Sequence, residues 1–149
     1  MLAVIRISGQ ANLRRDIRDT LKMLRLDAPY NCVFVPETPD YKGMVKKVEN
    51  YVTYGEVEKQ TLVEVLKKRL RTIDNKRIVE LKPITGYNSY EELADDLMSG
   101  KVKLSQFKVK PVIKLTPPSK GFKSIKQNYP EGDLGYRGNE INELLMRMI

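Results

Sequence analysis

The chain has 149 residues, 41% of them apolar and 31% charged, which suffices for one domain with an adequate core. Its 27 basic and 19 acidic residues leave a net charge of +8, histidine is absent and cysteine occurs once, at Cys32. These counts exclude histidine-dependent triads and any disulfide or cysteine metal cluster within the chain, and no apolar run approaches the roughly 20 residues that span a bilayer.

The opening MLAVIRIS is interrupted by Arg6 and does not resemble a signal peptide, so a soluble intracellular protein is expected. Residues 2–7 alternate as a first strand, with Ala3, Ile5 and Ile7 on one side and Val4 and Arg6 on the other. Residues 8–11 read as a turn, and Asn12 as the N-cap of a helix over 13–26. Leu13, Ile17, Leu21 and Leu24 share one face of that helix, while Arg14, Arg18, Lys22 and Arg25 repeat on another. The basic stripe reads as a solvated face except at Arg14 and Arg15, which lie beside Gly9, where a phosphate has room to approach.

Pro29 breaks the chain, and 31–35 forms a second strand that makes Cys32 a small buried hydrophobe. Pro36 and Pro39 end this strand, since neither can donate to a ladder. Apolar residues at 41, 44, 45 and 48 then mark a helix that carries Lys42, Gly43, Lys46 and Lys47 and runs to about residue 50. Residues 51–56 alternate aromatic and β-branched side chains and give a third strand. The resulting β-α-β-α-β unit should place both helices on one face of a small sheet and leave the other face free.

Thr61 and Glu64 have capping-box spacing and open a third helix to about Thr72, in which Lys67, Lys68, Arg69 and Arg71 read as solvated. A turn at 74–76 and a short strand over 77–81 follow. Ser89 and Glu92 form a second capping box whose helix ends at Gly100, with Leu93, Leu97 and Met98 inward and Asp95 and Asp96 toward water. Residues 110–116 can extend as a strand as far as Pro117 and Pro118. The stretch 119–138 has four glycines, one proline and few large aliphatics, so it should be an extended arm ordered by a partner. Asn139 caps a short amphipathic helix containing Ile141, Leu144, Leu145 and Met148.

The charge is unevenly spread. Residues 1–100 carry 17 Lys or Arg against 15 Asp or Glu, whereas 101–138 carry nine against two. That second stretch also holds Phe107, Phe122, Tyr129 and Tyr136, and positive charge interleaved with aromatics suits RNA. A solvated basic surface accounts for the charge equally well, but not for the Pro and Gly content. Gly132, Gly135 and Gly138 follow no strand and match no dinucleotide fingerprint; tight turns or close backbone approach explain them better. The acids Glu91, Glu92, Asp95 and Asp96 sit near a helix start, where the macrodipole favours them, and form no catalytic dyad. Two other classes fit less well: a small-molecule regulatory domain or hydrolase on a ferredoxin-like sheet, and an interaction module whose basic tail binds acidic protein.

Read from its residues, the chain is expected to be a small α+β RNA-binding protein with a basic arm. It also resembles the large-subunit ribosomal protein L-thirty family in its longer archaeal and eukaryotic-type form. The resemblance lies in Asn12-Leu13-Arg14-Arg15, in Pro36-Glu37-Thr38-Pro39 and in Lys42-Gly43-Met44-Val45-Lys46-Lys47-Val48. It continues through Thr61-Leu62 and Gly86-Tyr87 to Leu115-Thr116-Pro117-Pro118-Ser119-Lys120-Gly121-Phe122. The segment from Gly132-Asp133-Leu134-Gly135-Tyr136-Arg137-Gly138 to Leu145 completes it. Thr116 stands where the family pattern has histidine, which weakens any contact specific to that side chain. The eukaryotic form carries a long basic N-terminal extension that is missing here, so the archaeal form is expected.

The resemblance implies a small three-stranded, somewhat ferredoxin-like sheet with the first strand central and helices on one face, plus additional helices and an extended basic C-terminal arm. It divides the chain into a core (1–58), a helical addition (59–100) and an arm with a short terminal helix (101–149). It implies a cytoplasmic, non-enzymatic constituent of the large ribosomal subunit with no catalytic residue, cofactor or metal. Expected partners are the large-subunit ribosomal RNA, the 5S ribosomal RNA and other large-subunit proteins, without membrane binding or obligate homo-oligomerisation. RNA contacts are expected at Arg14, Arg15, Lys42, Gly43, Lys46 and Lys47, and in the arm at Lys120, Gly121, Phe122, Lys123, Lys126, Tyr136 and Arg137.

Overall fold

The computed structural model describes residues 1–8 and 12–149. Its centre is β1 (Leu2–Arg6), every residue of which is buried. It pairs antiparallel with β2 (Asn31–Val35) on one side and with β3 (Val52–Glu56) on the other. Two strands of two residues each widen the sheet: β4 (Ile113–Lys114) lies antiparallel to β2, and β5 (Gly135–Tyr136) parallel to β3. The order is β4-β2-β1-β3-β5. The fold is thus α+β, the expected three strands form its middle, and the C-terminal region supplies both edges.

One face of the sheet is covered by α1 (Arg15–Met23) and α2 (Pro39–Lys47). Leu2 and Val4 meet Ile17, Leu21, Leu24, Val45 and Val48 there. The opposite face, expected to be free, is also covered. It packs under α3 (Lys59–Arg69), α5 (Tyr90–Ser99) and α6 (Ile141–Met148), with a four-residue helix α4 (Lys82–Thr85) between the first two. Ala3, Ile5 and Cys32 join Leu62, Leu66, Leu93, Ile141, Leu144 and Leu145 in that second core. The physical reason is that these later helices carry apolar stripes of their own, and the open face of β1 is the surface large enough to bury them.

Several local expectations hold. The helix expected after Pro36 and Pro39 is α2; Thr38, not read as a cap from the sequence, caps it by accepting from the Tyr41 N–H at 3.4 Å, with Pro39 in the first turn. Ser89 caps α5 by accepting from the Glu92 N–H at 3.3 Å, and Gly100 ends it in the left-handed region at φ 81°. Others are corrected. Asn12 is not a cap: it has φ 71°, and the helix begins at Arg15 after Arg14, which makes no side-chain cap. Of the turn assigned to 8–11, Gly9, Gln10 and Ala11 lie outside the described residues, while the Ser8 N–H donates to the Tyr51 carbonyl at 3.1 Å. Thr61 is buried inside α3, which starts two residues earlier because the Glu58 N–H finds the Asn142 side-chain oxygen at 2.8 Å. The strand expected over 77–81 is a single bridge between Arg77 and Arg71, since no neighbouring strand offers it a longer edge. Asn139 lies in a 3₁₀ turn, Gly138–Glu140, and caps nothing with its side chain.

The arm is tied to the body's own groups. The Ser119 N–H donates to the Arg147 carbonyl at 3.1 Å, and the Thr116 N–H and hydroxyl both donate to the Met148 carbonyl, at 3.0 and 2.8 Å. Gly138 crosses β3 so closely that a Cβ on Gly55 would lie 2.0 Å from its carbonyl oxygen. Glycine at position 55 is therefore required by backbone contact.

Candidate nucleic-acid interface

The candidate contacts are built around the place where β1 ends. The Tyr30 N–H donates to the Arg6 carbonyl at 2.7 Å and the Ile7 N–H to the Tyr51 carbonyl at 3.0 Å, so β2 and β3 both begin there. The start of α1 and the end of α2 meet at the same end through one carboxylate. Asp16 accepts from the Arg14 guanidinium at 2.8 Å and lies 3.9 Å from the Lys47 ammonium. Partial desolvation pushes the Asp16 carboxyl up. The Ile17 N–H bond, followed by the Arg14 and Lys47 charges, outweighs that and holds it below its ordinary value. Arg15 stands almost fully exposed beside Asp19, at 4.0 Å. Lys42 and Lys46 are one turn apart on the same exposed side of α2. Gly43 is exposed, and a Cβ there would meet nothing within 4 Å, so its backbone is open to an outside group.

The arm approaches the same end of the sheet from both edges. Phe122 stacks on Tyr30 with ring centroids 6.3 Å apart, and β5 runs beside Thr53 and Tyr54 at the start of β3. Lys120, Gly121, Lys123 and Lys126 are exposed. The register of the arm is set by a buried acid. The Asp133 carboxylate accepts from the Lys123 N–H at 2.5 Å and the Ser124 N–H at 3.2 Å.

The structure therefore brings Arg14, Arg15, Lys46 and Lys47 into one basic group, with Lys42 and Gly43 a turn away and the arm lysines on the same end. Three of the expected contact residues are engaged internally. Arg137 is buried, with its Nε donating to the Thr53 hydroxyl at 2.8 Å and its guanidinium paired with Asp133 at 3.0 Å. The same guanidinium lies 5.2 Å from the centre of the Tyr129 ring. Phe122 is half-buried against Tyr30. Tyr136 keeps half its surface exposed, but its hydroxyl donates to the two Glu56 oxygens at 2.6 and 2.7 Å. That bond and slight desolvation hold the phenol above its ordinary pKa. Arg137 thus has an internal structural role, with its Nε and one terminal nitrogen bonded to the body of the protein.

Sequence reasoning missed a second basic group. Arg71 bridges Arg77, the Lys110 N–H donates to the Arg71 carbonyl at 2.9 Å, and the Ile73 N–H to the Lys108 carbonyl at 3.4 Å. Arg71, Lys76, Arg77, Lys108 and Lys110 thereby converge, and none forms an ion pair among the described residues. About thirty residues separate its two halves in sequence, so Arg71 was read as a solvated helix charge and Lys108 and Lys110 as part of the 101–138 excess, with nothing to join them. Among the described residues no cluster of His, Cys, Asp or Glu is placed to hold a metal, and no helix is long and apolar enough to cross a membrane. Cys32 is buried, and burial pushes its thiol far above the ordinary value.

A small mixed sheet flanked by exposed basic helix ends fits a compact protein that binds a polyanion, and comparison narrows the class. The family described as Ribosomal protein L30p/L7e matches residues 2–52. Large ribosomal subunit protein uL30 of Archaeoglobus fulgidus is 46% identical, covering 99% of each chain. The uL30 proteins of Methanocorpusculum labreanum and Nanoarchaeum equitans are 46% and 43% identical, covering at least 99% of each chain. The chain belongs to the uL30 family of large-subunit ribosomal proteins, which are structural constituents of the ribosome in the cytoplasm and not enzymes. These three relatives are archaeal, in keeping with the form expected from the motifs.

Proposed function

We propose that this chain binds large-subunit ribosomal RNA, and also 5S ribosomal RNA, and holds their folded arrangement in the large subunit. The observation that carries the reading is the convergence of Arg14, Arg15, Lys46 and Lys47 with the arm lysines at one end of the sheet. Helix ends and a short acidic clasp hold these cations in place before binding, so phosphates meet them with little ordering cost. Lys42 and the open backbone at Gly43 extend the contact, and Lys120, Gly121, Lys123 and Lys126 wrap it from the arm. Tyr136 offers an exposed ring edge for a base, while Phe122 acts by fixing the arm on Tyr30. A second RNA needs a second surface, and the Arg71–Lys110 group is a further concentration of cations, here without ion pairs among the described residues. In this reading residues 1–58 are the rigid core, 59–100 the helical addition and 101–149 the arm, and other large-subunit proteins border them.

Filter binding to large-subunit and 5S ribosomal RNA fragments across a salt series tests the proposal. Selective binding that weakens steeply with salt supports it, with the slope falling by about one for each contact lysine removed. Equal, weak binding to any polyanion overturns it.

A further inference from the structure

Only part of β2 has a partner on its outer side. All but its first residue appear in the register with β1, yet β4 reaches Asn31 and Cys32 alone. The Leu115 N–H donates to the Tyr30 carbonyl at 3.1 Å across that outer side. Backbone groups in an antiparallel ladder alternate between the two neighbours, so Cys32 and Phe34 point outward while Val33 and Val35 point to β1. Continuing the register sets residue 111 opposite Phe34, and that residue is proline. Proline has no N–H for the Phe34 carbonyl, and the chain leaves the edge there. Among the described residues no hydrogen bond takes up the outward Phe34 N–H or C=O.

This open edge lies in a groove of about 660 Å³ between the end of α1 and the end of α5. Met23, 69% exposed, stands on one wall and Met98 on the other. The acid on the rim, Glu37, is engaged at 3.2 Å by the α-amino group of Met1, which leaves Arg25 and Lys103 as rim charges without an ion pair among the described residues.

We propose that the groove takes an extended segment of another protein, which adds to the β2 edge as a strand and directs an acidic side chain at Arg25 and Lys103. A donor and an acceptor side by side on one residue match an extended peptide, which supplies both; phosphate accepts but cannot donate. A helix frees N–H groups at one end and carbonyls at the other, so it cannot offer both side by side. A second copy pairing edge to edge would bring its own Arg25 and Lys103 against these, and the like charges oppose it. The flexible methionine walls accommodate apolar side chains on alternate positions of the added strand. This surface is separate from the RNA contacts and stands whether or not they do.

Selection of a displayed random hexapeptide library on the full chain tests it, followed by calorimetry and amide hydrogen exchange with the selected peptides. Enrichment of alternating apolar residues with Asp or Glu is expected, together with slowed exchange of the Phe34 amide. Arg25→Glu with Lys103→Glu should weaken these peptides by about tenfold or more, and Lys in place of the acid should restore binding. Both side chains are exposed, so the fold survives their reversal. No enriched sequence, unchanged Phe34 exchange, equal binding by the double variant, or self-association through this edge in sedimentation equilibrium each overturns the proposal.

Discussion

Replacing Arg137 by methionine separates a structural role from a surface one. In the folded chain the Arg137 side chain is 4% exposed and its Asp133 partner 7%, with 3.0 Å between the charged atoms. Removing one partner of a buried pair costs about 3–5 kcal/mol, because the other charge is left without compensation. Asp133 keeps two backbone N–H donors, from Lys123 and Ser124, so the lower end applies, about 3 kcal/mol. For a chain of this length that lowers the melting temperature by about 6–12 °C. Calorimetry on the RNA-free protein measures it, and adding Asp133→Asn should return part of the loss by removing the stranded charge. In filter binding at a temperature where the variant is folded, the salt slope should match the parent. A melting temperature within about 2 °C of the parent, or a slope smaller by about one, would refute the assignment of Arg137 to the interior.

Gly55→Ala places a Cβ 2.0 Å from the Gly138 carbonyl oxygen, backbone that cannot step aside, and urea unfolding should show a loss of about 3 kcal/mol. Asp16→Asn releases Arg14 and Lys47 from the carboxylate that fixes them, so RNA affinity should fall through the added ordering cost; unchanged or tighter binding would show that the clasp does not prepare the contact. Reversing Lys46 and Lys47 to Glu should lower incorporation into large subunits while circular dichroism stays unchanged, and undiminished incorporation would strike both from the contact set. Glu56 raises the Tyr136 pKa in the folded state, so the stability it adds is present below about pH 10 and disappears as pH rises through the folded value. Denaturant unfolding of Tyr136→Phe should therefore differ from the parent near neutral pH and converge with it in strong alkali.

The elements that were readable beforehand share one property: their signals are local. Strand alternation in β1 and β3, the proline break and apolar spacing that mark α2, and the Ser89 to Gly100 span of α5 each depend on groups within a turn or two. The misplaced boundaries depend on distant partners. The Thr61 capping box is a sound local signal, yet Asn142, 81 residues further on, satisfies the Glu58 N–H and starts the helix earlier. Residues 77–81 have strand composition, but a strand exists only where another edge meets it.

The same division runs through the candidate interface. Composition and motif alone placed basic residues at Arg14, Arg15, Lys42, Lys46 and Lys47, because charge and exposure on an amphipathic helix follow from periodicity. They also marked 101–138 as the reservoir of excess charge. Whether a given cation faces outward or inward was decided by tertiary structure. Lys123 and Arg137 belong to one basic, glycine-rich stretch, but folding drives Arg137 under Tyr129 and onto Asp133 while Lys123 stays in water. A buried guanidinium needs an acid, a hydroxyl and a ring at fixed distances, and those came from positions up to 84 residues away. Sequence periodicity reports which side of an element is apolar; it carries no record of what the opposite side will meet.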